Sequence, residues 1–221
     1  MLVSSEIAPE TRQRLIEVAA EVFADKGFRH TTIRDICQKA GTNVASINYY
    51  FGDKEKLYKA VFDYARSFAP PELSVQDSIA DPEERLRAYI RGLINCVFAD
   101  GRPAWLGKLL AAEMVEPTGA LDEFIEQQIR PNHVRLKSLV RVLVGQDMDE
   151  EAARFAAFSI TALCVYYYHC RSVVSRLYPQ GHFDRETISA IADHITRFTL
   201  GGLKSLRQNT PIASPDHQIV R

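Results

Sequence analysis

A chain of 221 residues with 27 Lys and Arg against 28 Asp and Glu carries a formal charge of −1, which argues against a protein that coats nucleic acid through bulk positive charge. Its 46% hydrophobic content is ample for one or two packed cores. Met1 to Pro9 is short, contains Glu6 and does not read as a signal peptide; the longest apolar run, Phe155 to Tyr168, falls short of the ~20 residues that span a bilayer. A cytoplasmic protein is expected.

Taken in chain order, the first helix is expected to begin at Pro9, to turn Leu15, Ala19, Val22 and Phe23 inward, and to end at Lys26-Gly27. Thr32 then opens a short helix with a capping-box partner at Asp35, and Ile33, Ile36, Cys37 and Ala40 form its apolar stripe. Gly41 can adopt the left-handed conformation that ends a helix. Asn43 caps a second short helix that buries Ile47 and Phe51, and Asp53 caps the next, with Leu57 and Val61 facing inward. Two short helices across a tight glycine turn, followed at once by a third, make the layout of a helix-turn-helix.

An ordinary helical hairpin would give the same periodicity, but the second short helix has an unusual outer face. Val44 to Phe51 contains no charge, whereas a surface helix of a bundle carries Glu, Lys, Arg and Gln. Small side chains at Val44, Ala45 and Ser46 allow close approach to base edges, and Asn48 can hydrogen-bond them. Arg34 is expected to join these at the bases, with Asn43 at the head of the same helix. Thr32, Tyr49, Tyr50 and Lys54 are expected to hold phosphates. From Glu10 to Ala60 there are nine Lys and Arg against seven Asp and Glu, a small excess that suits a few placed phosphate contacts.

Beyond Pro70-Pro71 and a polar run, Asp81-Pro82-Glu83-Glu84 starts a helix with the stripe Leu86, Ile90, Leu93 and Val97. Gly101 to Pro103 breaks it and Trp105 to Glu116 forms another. A long helix from Gly119 to Gly145 must be kinked or interrupted by Pro131. The last two helices are expected over Asp149–Tyr178 and Asp184–Leu206, the first apolar around most of its circumference between Phe155 and Tyr168. Together these elements predict an all-α protein. It has an N-terminal helix-turn-helix domain at 9–69, a helical domain at 81–207 and a disordered tail at 208–221. Cys37, Cys96, Cys164 and Cys170 lack paired metal-ligand spacing and read as free thiols, with Cys164, His169 and Cys170 the one cluster to weigh for metal; no metal and no cofactor are expected.

Residues from about Glu10 to Tyr64 resemble the DNA-binding domain of the TetR family of bacterial transcriptional regulators. The resemblance rests on FADKGF (Phe23–Phe28), TTIRDI (Thr31–Ile36), KAG (Lys39–Gly41), YYF (Tyr49–Phe51) and DKEKLY (Asp53–Tyr58). The family commonly has Val-Ser where this chain has Thr42-Asn43, and often Gly and Tyr where it has Ala45 and Asn48. The pattern of Glu113 through Pro117, Pro131 and Tyr166 to Arg171 is also similar to the subgroup exemplified by the regulator CecR. The resemblance implies a sequence-specific repressor, released from a near-palindromic operator when its C-terminal domain binds a small molecule. It also implies a homodimer through the last two helices, for which Phe155, Leu163, Ile188, Ile191, Ile195, Phe198 and Gly202 are the candidates; a monomer with both helices in its core is the alternative. Candidate pocket residues are Phe98, Trp105, Met114, Phe124, Phe158, Tyr166 and His169, each of which can equally be core. Recruitment of a protein partner in place of a small molecule is the competing reading of the C-terminal half. An enzyme is not expected, because His133, His169, His182 and His194 stand in no catalytic spacing.

Overall fold

A computed structural model describes residues 4–68, 75–102, 104–179, 181 and 183–208. The Pro70-Pro71 connection and the tail beyond residue 208 lie outside the described residues. All regular structure among the described residues is helical: α1 (Ser4–His30), α2 (Ile33–Ala40), α3 (Val44–Phe51), α4 (Lys54–Arg66), α5 (Pro82–Val97), α6 (Ala104–Val115), α7 (Gly119–Phe124), α8 (Arg130–Val144), α9 (Glu150–His169), α10 (Arg171–Leu177) and α11 (Arg185–Gln208), with a π-helical turn at Ile125–Ile129.

The chain forms two compact units, Met1–Pro71 with Cys96–Arg130 and Glu72–Asn95 with Pro131–Arg221. In the first, α1 packs on α2, α4 and α6, and α4 packs on α6 and α7. Its core is Leu15, Ala19, Phe23, Ile36, Ile47, Leu57 and Val61 with Leu106 and Leu109 of α6. Thus α6 and α7, which the sequence assigns to the C-terminal domain, pack with the N-terminal helices. Long-range polar contacts fix this arrangement: Arg102 bonds both Glu17 (3.1 Å) and the Tyr64 hydroxyl (3.2 Å), and Lys59 pairs with Glu123 (2.9 Å). In the second unit α9 packs on α10 and α11, and the core includes Leu86, Ile90, Leu136, Val140, Ala157, Ile160 and Ile195. The backbone N–H of Val75 donates to Asn132 of α8 (3.1 Å), anchoring the approach to α5.

Several elements differ from the sequence reading. Helix α1 begins at Ser4, so Pro9 lies inside it and forfeits one backbone hydrogen bond instead of marking the start. Its regular course does end at Gly27, whose φ of 74° no other residue adopts cheaply. In α5 the buried stripe is Leu86, Tyr89, Ile90 and Ile94, with Leu93 and Val97 only half-buried. Pro131 acts through the π-helical turn just before α8, which widens the backbone where the ring would meet a carbonyl four residues back. The single helix expected over Asp149–Tyr178 is two: Cys170, at φ −96° and ψ 15°, breaks it although neither glycine nor proline is present.

Candidate nucleic-acid interface

Helices α2, α3 and α4 are each opened by a cap side chain that bonds the backbone N–H three residues on. The Thr32 hydroxyl accepts from the Asp35 N–H (3.1 Å), and the Asp35 carboxylate accepts from both the N–H and the hydroxyl of Thr32 (2.8 Å each). These bonds, the backbone one foremost, hold the Asp35 carboxyl below the usual range, with Lys26 adding to the effect. Gly41 ends α2 at φ 64°, and the Asn43 side chain accepts from the Ser46 N–H (3.0 Å) to open α3. Gly52, at φ 85°, closes α3, and the Asp53 carboxylate accepts from the Lys56 N–H (2.8 Å) to open α4. Each turn is therefore closed by a side chain of the right length, and α3 is held at both ends.

Ile47 and Phe51 anchor α3 in the core, leaving Val44, Ala45, Asn48 and Tyr49 facing out. Tyr49 is 81% exposed, an extreme for an aromatic side chain, and meets the half-buried Tyr50 edge to face at 5.0 Å. Arg34 is exposed on α2. Other members of the predicted set are already engaged. Ser46 is half-buried, and its hydroxyl accepts from Thr42 (2.9 Å) and donates to Asn43 (3.3 Å). The Thr32 hydroxyl spends its proton on Asp35. Lys54 is half-buried, with its ammonium 4.2 Å from the centre of the Phe28 ring, and burial lowers its pKa.

Two arginines of α1, absent from the sequence reading, lie against this element. The Arg12 guanidinium sits 5.1 Å from the centre of the Phe51 ring, and Arg14 Nη2 lies 3.6 Å from where a Cβ at Gly41 would stand. Nothing in their spacing to α3 could have marked them, because only the packing of α1 brings them there.

The candidate pocket residues are divided between the two units. In the first, Trp105 packs against Tyr64 (6.0 Å) and Phe68 (6.4 Å), Phe124 against Phe62 (5.6 Å), Met114 is 64% exposed and Phe98 is half-buried. In the second, Phe158 stacks on His133 (4.6 Å), and Phe158, Tyr166 and His169 are exposed. Among the described residues no three metal-ligating side chains converge, and burial pushes the Cys164 thiol up to about 12. No described helix is long and apolar enough to cross a membrane.

The model of the bacterial regulatory proteins of the tetR family matches residues 15–61, and that of the C-terminal domain of the HTH-type transcriptional dual regulator CecR matches residues 82–203. This chain belongs to the TetR family. It is 33% identical to the dual regulator CecR of Shigella flexneri over 153 residues, covering 64% of this chain and 68% of that protein. It is 27% identical to the transcriptional repressor NicS of Pseudomonas putida over 213 residues, 93% of this chain and 97% of NicS. Solved structures share the fold. AibR in complex with isovaleryl coenzyme A and operator DNA superposes with a TM-score of 0.64 at 23% identity, covering 85% of this chain and 97% of AibR. The fatty acid degradation regulator FadR of Bacillus halodurans gives 0.62 at 20% identity, covering 86% and 98%. Helix α3 lies within the residues 15–61 that the tetR-family model matches.

Proposed function

We propose that this protein is a dimeric transcriptional repressor that reads a near-palindromic operator through α3 and leaves it when a small molecule binds. The observation that carries the reading is the outward face of α3: uncharged, held by caps at both ends, and presenting Val44, Ala45, Asn48 and Tyr49 to solvent. A helix with small side chains and one amide on its outer face fits a major groove, where Asn pairs with adenine through two hydrogen bonds. Arg34 joins the base contacts. Tyr49, Tyr50 and Lys54 hold phosphates, while Thr32, Asn43 and Ser46 act chiefly by fixing the helix ends.

Pairing of two copies follows from α9 and α11. Phe155 and Phe198 are exposed, Gly202 leaves a bare stretch of helix, and Leu163, Ile188 and Ile191 are half-buried, so each stands ready to be covered by a second copy. Ile195 is 1% exposed and supports α11 from within its own protomer. AibR, solved with an acyl-coenzyme A and its operator together, is an instance of this fold holding both kinds of ligand. In this reading Trp105 and Phe124, which touch Tyr64 and Phe62 of α4, couple an occupied site to the DNA-binding helices. The work is binding, done in the cytoplasm beside the DNA, with no catalytic step. Release requires an effector that favours the arrangement misfitting the operator, since only differential affinity shifts the population.

The test is selection of bound fragments from a random duplex library by the purified protein at near-physiological salt. Recovery of one near-palindromic site is the expected result. Recovery of no preferred sequence would sink the operator reading while leaving the fold untouched.

A further inference from the structure

Residues 10–66 carry ten Lys and Arg against eight Asp and Glu, yet these cations divide into two sets. Lys26, Arg29, Lys39, Lys56, Lys59 and Arg66 each lie within 3.8 Å of a carboxylate. Arg12, Arg14, Arg34 and Lys54 pair with no carboxylate among the described residues. Six cations are thus spent on the protein's own acids, and the four left uncompensated adjoin the recognition element. Arg34 and Lys54 belong to the helices flanking α3. Arg12 and Arg14 come from α1, outside the two short helices and the turn that joins them.

Their positions bracket α3. Arg14 stands at the turn before it, beside Gly41, and Arg12 stands over its last residue, Phe51. A helix of eight residues is about 12 Å long, which matches the roughly 12 Å width of the major groove. A cation at each end of such a helix reaches toward the phosphates on either wall when the helix lies in the groove. Both arginines are exposed. The stacking of Arg12 on Phe51 also restricts a flexible side chain before DNA arrives, so less freedom is lost when a phosphate is bound.

We propose that Arg12 and Arg14 are DNA-phosphate contacts that seat α3 in the groove without reading sequence. The inference rests on α3 being the recognition helix. A contact of this kind has a distinct signature: each phosphate neutralised adds about 0.9 to the slope of log affinity against log salt, independent of sequence.

The experiment compares the full-length protein with R12Q, R14Q and the double variant on a mixed-sequence duplex several helical turns long, over a fourfold range of salt. Each glutamine is expected to lower the slope by about one unit per protomer, about two for a dimer, with the double variant losing about twice as much. R12K and R14K, which keep the charge, should retain the wild-type slope. The order of preference among base-substituted sites should be unchanged in every variant. An unchanged slope in the double variant overturns the proposal, as does a loss that differs from site to site. A fall in thermal midpoint for R12Q with its slope intact would assign Arg12 to packing on Phe51 and overturn its part. If the wild-type protein binds no duplex even at low salt, there is no slope to compare, and the recognition-helix reading fails instead.

Discussion

The recognition element and the α9–α11 pair are both amphipathic helices with unburied faces, but they are held in different ways. Helix α3 has eight residues, of which only Ile47 and Phe51 are buried; its position depends on Asn43, Gly41, Gly52 and the neighbouring caps. Helices α9 and α11 have 20 and 24 residues, pack on each other and bury Ala153, Ala157, Ile160, Ala192, Ile195 and Leu203. On the outside, α3 offers small and polar side chains with a single tyrosine, whereas α9 and α11 offer Phe155, Phe158, Tyr166 and Phe198. A surface that must match a groove needs placement more than area, and a surface that must hold two chains together needs apolar area.

The largest effects should come from the helix pair, where neighbouring positions on α11 separate assembly from folding. Phe198, 63% exposed in the protomer, tolerates Phe198→Asp as far as folding goes. In a dimer it would place a carboxylate from each copy in a covered apolar surface, at several kcal/mol per ion. Sedimentation should show folded monomer and operator binding should collapse. Ile195→Ala, three residues earlier, should leave the dimer's symmetry alone and lower unfolding stability by about 2–5 kcal/mol. A dimeric F198D protein would move the interface elsewhere.

Next in size is Asn48→Ala, expected to act unequally across operator variants, by about 1–3 kcal/mol at the preferred base. Equal loss on every sequence would make Asn48 a positioning side chain and leave reading to Arg34 and the apolar contacts. Thr32→Ala removes half of the capping box and should lower stability by about 0.5–2 kcal/mol at neutral pH. Acid probes the same bonds. The Asp35 carboxyl is held low first by the Thr32 N–H, and that of Asp53 first by the Lys56 N–H. A depressed carboxyl stabilises fully above its unfolded pKa, near 3.9, and that share is lost as the pH falls through the lowered folded value. Amide exchange in α2 and α4 should therefore be insensitive to these groups near neutrality and quicken relative to the core in acid. T32A should blunt the α2 part of that response. Identical acid profiles in the wild type and T32A would show that the box does not hold α2.

What could be read in advance follows the same division. Thr32, Asn43 and Asp53 act on donors three residues away, and Gly41 on its own backbone, so the sequence carries the whole interaction. The same is true of the apolar stripes of α1 and α4. By contrast, α6 and α7 join the head through pairings across long separations: Arg102 with Glu17, Lys59 with Glu123. They also join through Glu113, buried at the end of α6, whose carboxylate accepts from the Thr118 N–H at 2.7 Å. The Tyr58 hydroxyl of α4 is buried without a hydrogen-bond partner among the described residues, and burial and then that carboxylate push its pKa up. No periodicity reports such partners. The break at Cys170 was invisible for a related reason, since no residue there forbids a helix. Arg12 and Arg14 escape a sequence reading because only the packing of α1 brings them beside Phe51 and Gly41.

The smallest expected effect is also the most discriminating, because Lys54 sits on the line between the two regimes. Its ammonium rests over the Phe28 ring, so it is held by a tertiary contact, yet it is the first residue of α4 and adjoins the end of α3. A cation on an aromatic face in a partly exposed site contributes about 0.5–1 kcal/mol, and burial lowers the Lys54 pKa, with no carboxylate paired to it among the described residues. Lys54→Ala should weaken binding to all sequences alike and reduce the salt slope by about one unit per protomer. Phe28→Leu should keep the charge and the slope while loosening the placement of the ammonium, so affinity falls modestly at every salt concentration. If K54A leaves the slope unchanged and lowers only the thermal midpoint, the ammonium serves Phe28 and not the phosphate. The uncompensated charge beside α3 would then be carried by arginines alone.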